Sequence, residues 1–134
     1  MLMLSEGAKI CSPNPIILWE QTNMTVFNNQ SKTIINTTLQ NHGDIYIFPR
    51  SRLQVGNFIQ TSAGKTIFYS PFEPIQAATL SLMGTIELFH VVNISSGCYS
   101  LFQGQIVKYE ATFMKNNWNT AKLIVYPTNI TVCL

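Results

Sequence analysis

The residues whose types and spacing could do chemistry are few. Ala63-Gly64-Lys65-Thr66 ends like a phosphate-binding loop, where glycine amides and a lysine cradle phosphates. That motif needs a further glycine ahead of the Gly-Lys pair, and Ile59 stands in its place. The residues that follow, Ile67-Phe68-Tyr69, read as a strand and not as the start of a helix. A tight turn between two strands, with Gly64 free to take positive φ, explains the four residues better. Acid–base chemistry has little to draw on. Asp44 is the only aspartate, the five glutamates are scattered, and the two histidines are His42, in a turn, and His90, inside an apolar run. No Gly-x-Ser-x-Gly signature presents a nucleophile, and a lone histidine in a strand is more often structural than catalytic. Cys11, Cys98 and Cys133 lack metal-ligand spacing and are expected to be reduced, with a Cys11–Cys133 or Cys98–Cys133 bridge left open. The sequence therefore predicts no enzyme, no cofactor and no metal.

Three residues remain as candidate contacts. Arg50 and Arg52 are the only closely spaced basic residues, and at period two they would share one face of a strand. Trp118 lies in the polar segment Asn116 to Thr120, where an exposed ring could stack on a sugar or anchor an interface. The alternative is that Trp118 folds back and caps the edge of the domain. Two arginines fall far short of the stripe that tracks nucleic-acid phosphates, so nucleic-acid binding is not expected.

The elements that must position these residues are short β-prone runs. Asn28 to Ser70 is a series of them, separated by polar turns. Asp44 to Phe48 alternates and stops at Pro49; Asn57 to Thr61 and Lys65 to Tyr69 flank Ser62-Ala63-Gly64. After the Pro71–Pro74 loop, period-two alternation predicts one long strand from Thr79 to Val92, with Gly84 as a bulge or bend. Val107 to Phe113 and Ala121 to Val125 alternate too, and Ile130 to Val132 closes the chain. No internal repeat is evident. Nine or ten short strands at these spacings predict an all-β, antiparallel β-sandwich, jelly-roll-like or immunoglobulin-like, forming a single domain over residues 1–134.

Composition bounds the rest. The chain has 134 residues, 46% of them hydrophobic, enough for one real core. Only 10% are charged, against roughly 25% in an average domain. The polar surface must then be built from Asn, Gln, Ser and Thr. Such a surface is covered by neighbours at lower cost than an ionised one, so the low charge points to interface, or else simply to a codon bias favouring Asn, Ile and Lys. The start, Met1 to Lys9, lacks a signal-peptide pattern, and the most apolar stretch, Ala77 to Ile94, contains Glu87, His90 and Asn93. The expectation is a complete reading frame with neither leader nor membrane span. Five Asn-x-Ser/Thr sequons, headed by Asn23, Asn29, Asn36, Asn93 and Asn129, favour a different reading, a secreted and glycosylated binding module with an immunoglobulin-like or lectin-like sandwich.

The block Thr33 to Tyr69 resembles small structural proteins of tailed bacteriophages. The likeness rests on a β-branched strand and Asn turn leading to Asp44-Ile45-Tyr46-Ile47, a loop with Gly56-Asn57, and an Ala63-Gly64 turn into Ile67-Phe68-Tyr69. It covers about a quarter of the chain, and nothing after Pro74 takes part. The resemblance implies a non-enzymatic virion component: a capsid decoration or stabilising protein, or a tail or fibre subunit. Its partners would be major capsid or other virion proteins, in a homo-oligomer or symmetric assembly, and its location the virion. Arg50, Arg52 and Trp118 are the candidate contact residues for that role.

Overall fold

The computed structural model describes residues 2–28, 31–89, 96–114 and 121–134. Its strands are β1 (Leu2–Leu4), β2 (Lys9–Ile10), β3 (Ile16–Leu18), β4 (Asn23–Val26), β5 (Thr33–Asn41), β6 (Asp44–Ile47), β7 (Leu53–Gln60), β8 (Lys65–Tyr69), β9 (Ile75–Leu82), β10 (Thr85–Phe89), β11 (Cys98–Tyr109), β12 (Thr112–Met114), β13 (Lys122–Tyr126) and β14 (Asn129–Cys133). They form two sheets. The first runs β1-β4-β6-β8-β10-β12, and every neighbour in it is parallel. The second runs β13-β14-β11-β9-β7-β5-β2, with β3 also paired to β5. It too is parallel from β2 to β11. Only the β13–β14 hairpin and its pairing with β11 are antiparallel.

This overturns the antiparallel β-sandwich. The chain is a β-solenoid of about four turns, in which each coil lays one strand in the second sheet and the next in the first. The misreading has a physical cause. Alternation of inward and outward side chains normally marks antiparallel sheets, because parallel sheets usually carry helices on both faces. In a solenoid the crossover between parallel strands is a strand of the opposite sheet, so one face of each parallel sheet meets solvent and alternates.

The coils repeat at roughly 20 residues, a period the sequence reading missed. Met24, Ile45, Thr66 and Ile86 stand in register on successive strands of the first sheet, and Val26, Ile47, Phe68 and Leu88 on the same interior face two residues on. Leu39, Phe58 and Leu80 stack likewise in the second. All are buried, apart from Thr66 in the interior cluster that joins the sheets.

Gly43, Gly64 and Gly84 mark the corner where successive coils leave the second sheet for the first. The expected long strand from Thr79 breaks there into β9 and β10, with Gly84 at φ +70°. Gly64 is not a positive-φ turn residue; a Cβ there would lie 2.4 Å from the Asn41 carbonyl oxygen of the preceding coil. Its flanking strands β7 and β8 belong to different sheets, so the turn is a solenoid corner and not a hairpin. Amide-to-carbonyl bonds from Lys65 to Gly43 (2.8 Å), Thr85 to Gly64 (3.0 Å) and Thr112 to Gly84 (2.8 Å) stitch the corners together.

Polar side chains line the inside of that corner, contrary to an assignment of Asn and Gln to the surface. Gln60, 1% exposed, accepts from Asn41 Nδ2 (3.1 Å) and Thr66 Oγ1 (2.5 Å) and donates to the carbonyls of Met83 (2.8 Å) and Thr85 (3.1 Å). One amide thus ties three coils. Gln60→Ala is expected to destabilise the fold by about 2–3 kcal/mol, because it strands buried donors and acceptors. Urea unfolding monitored by circular dichroism measures the loss. At the opposite corner Asn28 bonds Thr33 Oγ1 (3.2 Å) and both backbone groups of Arg52 (3.0 and 3.1 Å).

Cys98 and Cys133 form a disulfide across β11 and β14, and Cys11 is a free, exposed thiol. The expectation of three reduced thiols is therefore corrected. Closing a loop over 35 residues of sequence, the bridge pins the terminal hairpin to the last long strand. Among the described residues no helix is long and apolar enough to cross a membrane.

Candidate polar-aromatic binding site

The outward face of the first sheet carries a row of aromatic rings. Alternation places Asn23, Thr25 and Phe27 outward from β4 and the residue after it. Asp44, Tyr46 and Phe48 follow on the next coil, then Lys65, Ile67 and Tyr69, then Thr85, Glu87 and Phe89. One residue per coil in the last row is aromatic. Phe27 and Phe48 meet edge to face at 5.9 Å, Phe48 and Tyr69 at 5.3 Å, and Tyr69 stacks on Phe89 at 5.3 Å. Such pairs contribute about 0.5–1.5 kcal/mol each beyond their area. The strip stays partly open: Phe27 is 58% and Phe89 40% exposed. Ile67 is buried yet lies outside the interior cluster, which fits a position beneath the outward side chains around it.

Beside this strip lies a concavity of about 270 Å³ lined by Asn23, Thr25, Tyr46, Phe48 and Tyr69. That volume is near the lower end for small-molecule sites, the scale of a single ring. Asn23 Oδ1 is buried and accepts no hydrogen bond from the described residues. A buried acceptor left so costs about 1–3 kcal/mol. Burial, then the neighbouring Tyr46 and Glu87, raises the Tyr69 phenol above its ordinary value of 10.0, so it remains an O–H donor at neutral pH. Lys65, on the same face, pairs with Glu87 at 3.5 Å, so the two charges largely offset each other. The lining residues are neutral: an asparagine, a threonine, a phenylalanine and two tyrosines.

A wider depression of about 390 Å³ lies on the second sheet, lined by Gln54, Val55, Gly56, Gln76, Ala77 and Ala78. It has no aromatic wall, and the Gln76 amide already donates to Gln103 Oε1 at 3.0 Å. It offers space but little to orient a ligand.

Of the candidate contact residues, Arg50 and Arg52 are exposed, but they do not share a strand face. They lie in the turn between β6 and β7 on either side of buried Ser51, with Arg50 at φ 60°. Neither lines the concavity. Trp118 lies outside the described residues, as does His90. His42 sits at a corner, stacked on Trp19 at 5.5 Å with Nδ1 3.1 Å from Thr61 Oγ1. Asp44 is on the outward face of β6, opposite Asn23 and Lys65 of the neighbouring coils. Thr66 is fully buried on Gln60, so Lys65-Thr66 has no phosphate-binding geometry. Among the described residues no three His, Cys, Asp or Glu side chains converge as a metal site would require.

Sequence reasoning missed Tyr46, Phe48 and Tyr69 and noted Asn23 only as the head of a sequon. The signal was present: aromatics at positions 27, 48, 69 and 89 follow the coil period. It is legible only once the repeat is seen. No family model, curated protein or solved structure matches this chain.

Proposed function

We propose that the chain is a non-enzymatic recognition module that binds a neutral saccharide in the concavity of Asn23, Thr25, Tyr46, Phe48 and Tyr69. The observation that carries this reading is a neutral concavity walled by Tyr46, Phe48 and Tyr69, with Asn23 and Thr25 beside them. A sugar ring offers a C–H face for the aromatic rings and hydroxyls for the two phenols. The absence of net charge on the lining disfavours phosphate or acidic sugars. The Cys98–Cys133 bridge supports work in an oxidising compartment, as expected of a secreted module. Calorimetric titration against neutral and acidic oligosaccharides tests this. Tyr46→Ala should weaken binding of a neutral sugar at least tenfold, about 1.4 kcal/mol, without altering the fold. Equal binding by the variant, or preference for acidic sugars, would contradict the assignment.

A second reading, assembly within a virion, is supported by the first coil. There β1, β2 and β3 stand at the edges of their sheets, with Leu2 and Met3 exposed on β1, Ile17 on β3 and Trp19 just after it. Unpaired edges with apolar side chains suit docking of another copy or of a major capsid or other virion protein. The residues behind the bacteriophage resemblance are strands β5 to β8, two consecutive coils of the repeat. Sedimentation of the purified protein, alone and with empty capsids, tests this reading; a monomer that ignores capsids would rule it out.

A further inference from the structure

We propose that Asn36 is an N-linked glycosylation site and that its glycan covers the second sheet, leaving the face with the concavity free. The inference does not depend on the saccharide-binding reading. Five of the chain's asparagines head a sequon, and three of those, Asn23, Asn36 and Asn129, lie in the described residues. The structure separates the three. Asn23 is half-buried beside the concavity, with its Oδ1 buried. Asn129 is half-buried and accepts a 2.6 Å bond from Ser100 Oγ. Asn36 is exposed in the middle of β5, and its Oδ1 accepts the Ser12 amide at 3.1 Å. That bond fixes the carboxamide and leaves Nδ2, the atom a glycan joins, without a partner among the described residues.

The surrounding backbone makes room. β5 and β7 shift register between Ile35 and Thr38, so Asn36 and Thr37 form a bulge. Beside it in the next coil is Gly56, and beyond it the shallow depression lined by Gly56, Ala77 and Ala78. Gln54, Val55 and Gln76 complete the lining of that depression. The Cys98–Cys133 disulfide suits the oxidising secretory route, along which sequons are modified. In the modification, Nδ2 of Asn36 forms a bond to C1 of an activated oligosaccharide. The donor's diphosphate carrier leaves as C1 is attacked, and Nδ2 gives up one proton.

The test is secretion of the full chain from a eukaryotic cell, followed by enzymatic glycan release in heavy-oxygen water and peptide mapping. The expected result is a heavy-oxygen aspartate at position 36 in the disulfide-bonded protein, and an unmodified Asn23. Asn36→Gln should lose one glycan's mass. Thr38→Ala, which keeps Asn36 but destroys its sequon, should lose the same mass, whereas Thr38→Ser should keep it. An unmodified Asn36 in folded, disulfide-bonded, secreted protein would overturn the proposal, as would a glycan on Asn23 in its place.

Discussion

Gly84→Ala is expected to destabilise the protein by about 3–5 kcal/mol, enough to unfold a marginal domain. Two costs combine. Gly84 has φ +70°, and a side chain there costs about 1–2 kcal/mol. A Cβ would also lie 2.1 Å from the Gly64 carbonyl oxygen and 2.6 Å from that of Thr61. Both atoms are backbone of the coil beneath, so relief requires the coils to separate where Thr85 and Thr112 make their bonds to Gly64 and Gly84. Gly7→Ala is the matched control. Its φ is +68°, but the nearest atom to an added Cβ is 3.7 Å away, so only the conformational cost applies. Chemical denaturation of both variants should show the Gly84 change costing at least twice as much. Equal losses would mean that the corner is not packed coil on coil.

Phe102→Ala should cost a similar amount, about 3–5 kcal/mol, through a cavity in the interior. Phe102 is fully buried on β11, with Phe68 of the first sheet at 5.3 Å edge to face and Phe58 of the second at 5.9 Å. The three rings bridge the sheets, and β11 is also the strand that carries the terminal hairpin. Loss of this ring therefore loosens both the interior and the closing end. Phe102→Leu, which keeps most of the volume, should recover much of the loss. Thermal unfolding of the pair measures it, and an alanine variant within 1 kcal/mol of the wild type would be incompatible with the packing described.

The strands were largely legible in the sequence, and the way they pair was not. Ile45 and Ile47 alternate with Asp44 and Tyr46 whether β6 is parallel or antiparallel to its neighbours, because only the inward period is written locally. His42-Gly43 reads as a turn, and Gly84 as a bulge or bend inside one long strand. What makes them corners is the carbonyl of another coil lying where a Cβ would stand, a contact between residues about 20 positions apart. The same distance hid Asn41 and Gln60. Each reads alone as a surface amide, and each is buried because its partner arrives from the next coil. The disulfide was one of two pairings left open; the antiparallel register that sets Cys98 opposite Cys133 selects it. The candidate site depended on the period as well, since Tyr46 and Tyr69 become neighbours only when β6 and β8 are adjacent rungs.

The central claim is that the outward face of the first sheet is the ligand face. Its most direct test is an amide chemical-shift titration of the isotope-labelled protein with a neutral oligosaccharide at about 10 mM, sufficient for a Kd near ~1 mM. The expected result is saturable shifts in β4, β6 and β8, centred on Asn23, Tyr46 and Tyr69, with the second sheet unchanged. Shifts confined to the second sheet or to the Arg50–Arg52 turn, or no shifts at all across neutral sugars, would contradict it.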